Sequence, residues 1–416
     1  MIKPTLSRRQ FLASTAAAGA ATLASPAYAQ SRELVIISNR GSAGQRAALE
    51  AIAAEFGKDA GVKVSVNNMD HEAHKTAIRN YLVASPPDFC FWFSGERMKS
   101  FVARDLFADI TDLVEEQNYA DVVPALGATT VDGRVYGMPT AGIMWGMWYL
   151  QDVFDEQGWT APTTRDEFLA FGEKARAAGM DPIAIGTKEM WPAAGWFDHM
   201  NLRINGLKHH MDLMAGKIAY TDQSLVKVMD AWAEQINAKL FNPNMTSFVW
   251  DQAAASLAQK RAAMMDLGGF ISYGIPEEQH KQLRFSPFPI YDSSLGRFED
   301  YSVDSVHIPK KAPNPEVARE WLVYFYEAER QKRYLEPEGN VPARIDVDMS
   351  SNHIVSEAQK GLAGMDGSAQ YFDRDTNPDV AQAGLKGFQE FMVRPERAQS
   401  ILQSIEGARS RAYGKI

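Results

Sequence analysis

Apolar and polar positions along the chain change period several times, and each change marks an element. Leu34, Val35, Ile36 and Ile37 form a short continuous apolar run, which predicts a strand over 33–38. Leu49, Ile52, Ala53 and Phe56 then recur three and four apart, so a helix follows with Ser42 at its start. Val62, Val64 and Val66 alternate as a half-buried strand does. Asp70 stands at the N-cap of a helix over 71–84 that Pro86-Pro87 stops. A third strand over 88–93 and a short helix over 96–103 complete the unit. Strand, helix, strand, helix, strand with short links predicts a mostly parallel sheet covered on both faces. In such sheets ligands lie off the carboxyl ends of the strands. The loops 39–42, 67–71 and 94–97 are therefore the first places to look.

The pattern then breaks. Val131-Asp132-Gly133 signals a turn, a short extended run follows, and 143–150 is apolar, uncharged and carries two tryptophans. Alpha/beta units lie on both sides, so the chain is read as leaving one lobe and entering a second here, dividing at 139–142. A ligand then lies beside this stretch, where concave sites with aromatic walls form. Beyond it, Thr164 and Glu167 fit a capping box before a helix with Phe168, Leu169, Phe171 and Ala175 as its buried stripe. An aromatic turn is expected over 190–198, a strand over 262–267, a return to the first lobe over 304–309, and one helix over 316–333. Trp232 and Trp321 fall on apolar helical faces and are read as core.

Length and charge narrow the class. A chain of 416 residues is too long for one ordinary core, so two domains are expected. Net charge is −9, and three basic residues with no acidic ones precede position 30, which leaves −12 for the remainder. That argues against nucleic acid as a partner. The single cysteine, Cys90, allows no internal disulfide and reads as a small buried hydrophobe. At the start, Ser7-Arg8-Arg9-Gln10-Phe11-Leu12 resembles a twin-arginine export signal, an Ala-rich run follows, and Ala27-Tyr28-Ala29 fits a cleavage site. A soluble periplasmic protein beginning at Gln30 is expected.

Several chemistries are missing from the sequence. No phosphate loop or dinucleotide fingerprint is present. His71 and His74 are three apart and His209-His210 adjacent, without the further ligands of a zinc site. No nucleophile elbow occurs. No metal and no cofactor are expected. A carboxylate pair from distant positions is invisible to spacing, so a secreted carbohydrate-active enzyme stays open as an alternative.

Other segments carry a resemblance. They are 70–76 and 88–97, Asp132-Gly133-Arg134-Val135-Tyr136-Gly137-Met138-Pro139, and Pro162-Thr163-Thr164-Arg165-Asp166-Glu167-Phe168. Gly186-Thr187-Lys188-Glu189 with Trp191, and Lys260-Arg261-Ala262-Ala263-Met264 with Lys260 at a usual glycine, extend it. On these the chain resembles the extracellular solute-binding proteins of bacterial ABC importers, in the carbohydrate-binding group related to maltose-binding proteins. The resemblance implies an α/β, two-lobed periplasmic-binding-protein fold with crossing strands at a hinge. It places 30–139 plus 304–345 in the first lobe and 140–303 plus 346–416 in the second. It implies capture of a sugar or sugar derivative by lobe closure, delivery to an inner-membrane permease, a monomer, and no catalysis. A polyamine or another non-sugar solute remains the alternative within this scaffold.

Sugars present apolar faces to aromatic rings and hydroxyl edges to carboxylates, amides and arginine. Candidate ligand-binding residues follow from the predicted strand ends. Asp70 and His71 are set to meet hydroxyls, with Asp70 equally suited to a plain helix cap. Trp92, Glu96 and Arg97 lie at or after the third strand. Trp145 and Trp148 face opposite ways in an extended run, so at most one forms the wall. Trp191 and Trp196 sit in the aromatic turn, and Arg203 follows. Trp250, Asp266 at a strand end, Asp304 at the return crossing and His307 complete the set.

Overall fold

The computed structural model describes residues 32–416; the expected export segment lies outside the described residues. Local chemistry builds the first elements. Strand β1 is Glu33–Ser38, and Ser42 caps helix α1 (Ala43–Ala60) by accepting from the Gln45 N–H. Strand β2 is Lys63–Asn68, and Asp70 caps helix α2 (His71–Ala84) by accepting from the N–H groups of Glu72 and Ala73. Strand β3 (Phe89–Phe93) is buried along its whole length and leads through Gly95 into α3 (Glu96–Val102).

The chain then runs to β4 (Met138–Met144) and β5 (Gly146–Leu150), interrupted at Trp145 rather than at 139–142. Later strands are β6 (Asp181–Ala184), β7 (Ala262–Leu267), β8 (Leu283–Ser286), β9 (Phe298–His307), β10 (Val341–Pro342) and β11 (Gly367–Ala369). One lobe is built on a seven-stranded sheet in the order β10-β4-β9-β3-β1-β2, with β11 pairing β9. The other holds a four-stranded sheet in the order β8-β5-β7-β6. The larger sheet is mixed, not mostly parallel. β1 runs parallel to β2 and β3, but β9 is antiparallel to both β3 and β4. The reason is the crossing: β4 leaves for the second sheet and β9 returns from it, so the pair must run in opposite directions.

Two apolar cores result. Phe89, Phe91, Trp321 and Phe325 pack under the larger sheet, and Trp196, Trp232, Phe388 and Phe391 pack beside the smaller one. Cys90 is buried as a free thiol. Two helical expectations change. The 316–333 helix is broken into Pro315–Phe325 and Ala328–Leu335, because Glu327 is extended at φ −62, ψ 143. The 190–198 turn is instead the opening of a long helix, α4 (Trp191–Met214), which kinks at Gly206. Pro192 suits that first turn, where its missing N–H costs nothing. Lys260, at the usual glycine, adopts φ 55, in the left-handed region that glycine enters freely.

Candidate functional site

Between the two sheets lies a cavity of about 140 Å³, measured as the volume open to the centres of water molecules. The first lobe contributes the residues after β1 (Asn39, Arg40), the start of α2 (His71, Lys75) and Phe93 at the end of β3. Trp145 and Asp304 come from the crossing strands. The second lobe adds Glu189, Trp191, Trp250 and Phe270. A short helix, α5 (Phe372–Asp375), closes the back.

The aromatic wall is held edge to face. Trp145 meets Trp191 at 5.8 Å and 77°, and Tyr371 at 4.9 Å and 64°. Trp250 meets Phe270 at 5.1 Å and 90°. Gly195 on α4 lets the helix approach, since a Cβ there would sit 2.4 Å from the Trp145 ring. Met190 precedes α4 at φ 66, ψ −38, a conformation that costs a side-chain-bearing residue about 1–3 kcal/mol. It sits between Glu189 and Trp191, both of which face the cavity. The indole N–H groups of Trp145 and Trp191, Asn340 Oδ1 and Glu189 Oε2 are buried without a hydrogen-bond partner. Unpaired buried polar atoms are costly, and a ligand with hydroxyls would satisfy them.

Asp304 is the electrostatic centre. The register of β9 against β4 slips between Asp304 and Ser305, a bulge that re-aims the strand beside the cavity. Its carboxylate takes Arg40 at 2.6 Å and Arg374 at 2.9 Å. Burial works to raise this carboxyl, but the two guanidiniums outweigh it and hold it below the usual carboxylate range. Arg374 also lies 4.1 Å over the Phe93 ring. Asp373 binds Lys75 at 3.2 Å and Arg97 at 3.0 Å; those cations, with Arg374, overcome burial and lower its carboxyl too. Glu189 goes the other way. Burial first, then the charges of Glu72, Asp251 and Asp70, push it up to about 7.

Of the residues expected from sequence, His71, Trp145, Trp191, Trp250 and Asp304 come together at the cavity. The others do not line it. Asp70 spends its carboxylate on the helix cap. Trp92 stacks on Phe101 inside the first lobe, and Glu96 lies in the first turn of α3. Arg97 reaches Asp373 from behind the wall. Trp148 is buried and donates to the Leu267 carbonyl at 2.9 Å. Trp196 donates to Gln235 at 2.8 Å, and Arg203 is paired with Glu299 at 2.8 Å. Asp266 sits 3.3 Å from His199, and His307 lies between Ser305 and the Tyr136 carbonyl. For Asp70, Arg97, Trp148, Trp196, Arg203 and His307 a partner inside the fold satisfies the group that composition made conspicuous, whereas the Trp92 indole N–H and the Asp266 carboxylate are buried without a hydrogen-bond partner.

Sequence reasoning missed Arg40, Lys75, Glu189, Glu338, Asp373 and Arg374. Three had a signal. Arg40 lies in the first strand-end loop, Lys75 is four residues after His71 on the same helical face, and Glu189 is inside a quoted segment. Glu338, Asp373 and Arg374 come from the last quarter of the chain and had none. Among the described residues, no group of acidic, histidine or cysteine side chains is set to hold a metal, and no helix is long and apolar enough to cross a membrane.

Residues 41–332 match the family described as bacterial extracellular solute-binding protein. The chain is similar to an uncharacterized ABC transporter extracellular-binding protein of Pyrococcus horikoshii, 25% identical over 76% of this chain and 73% of that one. A probable sugar-binding periplasmic protein of Mesorhizobium japonicum is 24% identical over 74% of each chain. Among solved structures, a bacterial solute receptor described as having an exclusive preference for β-D-galactopyranose superposes with a TM-score of 0.87 at 28% identity. That match covers 92% of this chain and 100% of the receptor.

Proposed function

Since the chain belongs to the bacterial extracellular solute-binding proteins, the periplasmic binding components of ABC importers, we propose that it captures a sugar of about one ring between its lobes. The carrying observation is Trp145, a buried indole at the strand crossing, edge-on to Trp191 and Tyr371, with its N–H unpartnered. An aromatic wall with unpaired donors and acceptors beside it suits a ring that is apolar on its faces and hydroxylated at its edge. The 28% identical galactose-preferring receptor supports the same reading. We assign the lobes to the ranges given above, except that the crossing strands β4 and β9 and the short β11 go with the larger sheet of the first lobe, and the delivery step to a cognate inner-membrane permease.

Micromolar capture needs about 8 kcal/mol. A few charge-assisted hydrogen bonds at about 1.5–3 kcal/mol each, with the aromatic wall, reach that after ordering costs. A thermal-shift screen against neutral hexoses, disaccharides and polyamines tests the reading. A neutral hexose at a hundredfold over its Kd is expected to add about 2.7 kcal/mol of stability, and to be recovered unchanged. A shift with polyamines and none with any neutral sugar would count against it. We also read Arg8-Arg9 as a twin-arginine address, checked by whether Arg8→Lys with Arg9→Lys retains the precursor inside the cell.

A further inference from the structure

Glu189 lines the cavity without a cation of its own. Its Oε2 is buried and unpartnered, and among the described residues no lysine, arginine or histidine forms an ion pair with it. The cations that line the same cavity are already engaged. Arg40 and Arg374 converge on Asp304, and Lys75 is held by Glu72 at 3.1 Å and Asp373 at 3.2 Å. The charges around Glu189 are mostly of its own sign: Asp70 at the cap of α2 and Glu72 in its first turn, from the first lobe, and Asp251 of the second, with Lys75 opposing them. The walls beside it are aromatic. That end of the cavity is built to receive positive charge or a donor, whereas the carboxylate at the Asp304 end already has two guanidiniums on it.

We propose that Glu189 selects ligand charge: the group presented to it is a donor, with ammonium favoured over hydroxyl and carboxylate refused. The inference rests on the sugar-capture reading and narrows it to neutral and amino sugars. An ammonium would supply the partner that Glu189 lacks, through a charge-assisted bond beside aromatic faces that themselves attract cations. A carboxylate in that place would set two like charges together away from water.

Calorimetric titration of the exported protein and of Glu189→Gln with galactose, galactosamine, galacturonate, putrescine and succinate tests this. In the unaltered protein galacturonate is expected to bind about tenfold or more weaker than galactose. In Glu189→Gln the preference for galactosamine over galactose is expected to fall about tenfold. Galacturonate bound as tightly as galactose by the unaltered protein overturns the inference and leaves sugar capture standing. Putrescine bound while all three sugars are ignored overturns sugar capture and keeps the charge rule. A folded Glu189→Gln with an unchanged galactosamine-to-galactose ratio also overturns the inference. The unaltered protein alone carries the galacturonate comparison, so the test survives a variant that does not fold.

Discussion

His307 faces the Tyr136 carbonyl through Nδ1 at 2.8 Å and the Ser305 hydroxyl through Nε2 at 2.8 Å. A carbonyl only accepts, so Nδ1 carries the proton and Nε2 accepts from serine. The ring is fully buried and stacks 4.2 Å from Phe107. Burial pushes its pKa down to about 4, against a smaller upward pull from the Tyr136 carbonyl. The unfolded chain therefore takes up this proton first as pH falls. The neutral ring contributes its full stability above about pH 6.5 and loses it progressively toward pH 4. Replacing it as His307→Gln removes the titration. The stability gap between the two proteins is expected to narrow by about 2 kcal/mol between pH 7 and pH 5. Urea unfolding at the two pH values measures it, and a constant gap would refute the assignment. Residue identity was visible in the sequence here, but not its use. Histidine near a strand end reads equally well as ligand contact or as core, and only the Ser305 and Tyr136 contacts decide.

At the level of elements, the wall depends on how closely α4 approaches the strand crossing. Gly195→Ala gains up to about 1 kcal/mol in helix propensity. It also places a Cβ 2.4 Å from the Trp145 ring, which Trp191 and Tyr371 box in. Overpacking of that kind costs about 1–3 kcal/mol, so the net change is expected to be destabilising, with weaker sugar binding than the stability loss alone explains. Melting and titration of the same variant separate the two effects; a more stable variant with unchanged affinity would show that Trp145 can move aside. Elements governed by neighbours in sequence were legible. Ser42, Asp70 and the Thr164–Glu167 box all cap as their side chains dictate. Elements governed by distant contacts were not. The break at Glu327 brings Tyr334 and Leu335 into the first core, and no period in 316–333 announces it. The aromatic part of the site was readable because tryptophans are few. The charged part was not, because strand pairing unites Arg40, Asp304 and Arg374 from three remote stretches.

For the molecule as a whole, Asp304 joins parts that would otherwise move apart. Arg40 follows β1 in the first lobe, whereas Arg374 belongs to α5, whose Phe372 packs with Phe197 and Phe388 in the second core. Asp304→Asn leaves two buried guanidiniums facing each other, and breaking such a pair costs about 3–5 kcal/mol. Loss of stability on that scale is expected, with a larger radius of gyration by small-angle scattering in the absence of sugar. A variant as compact and stable as the parent would mean that other contacts hold the lobes. Closure then reflects a balance that ligand tips by preferring one arrangement. The strand bearing Asp304 has one more consequence. β9 lies inside the larger sheet, between β3 and β4, although more than two hundred residues of the chain, 94–297, separate it from β3. On the ribosome, the first lobe therefore emerges as a sheet with its middle missing. It waits for a strand made only after most of the second lobe, and with unpaired strand edges it is then a client for chaperones. Synthesis does not deliver this protein one finished lobe at a time, and the gap in its native sheet closes only once the chain has been made as far as His307 of its 416 residues.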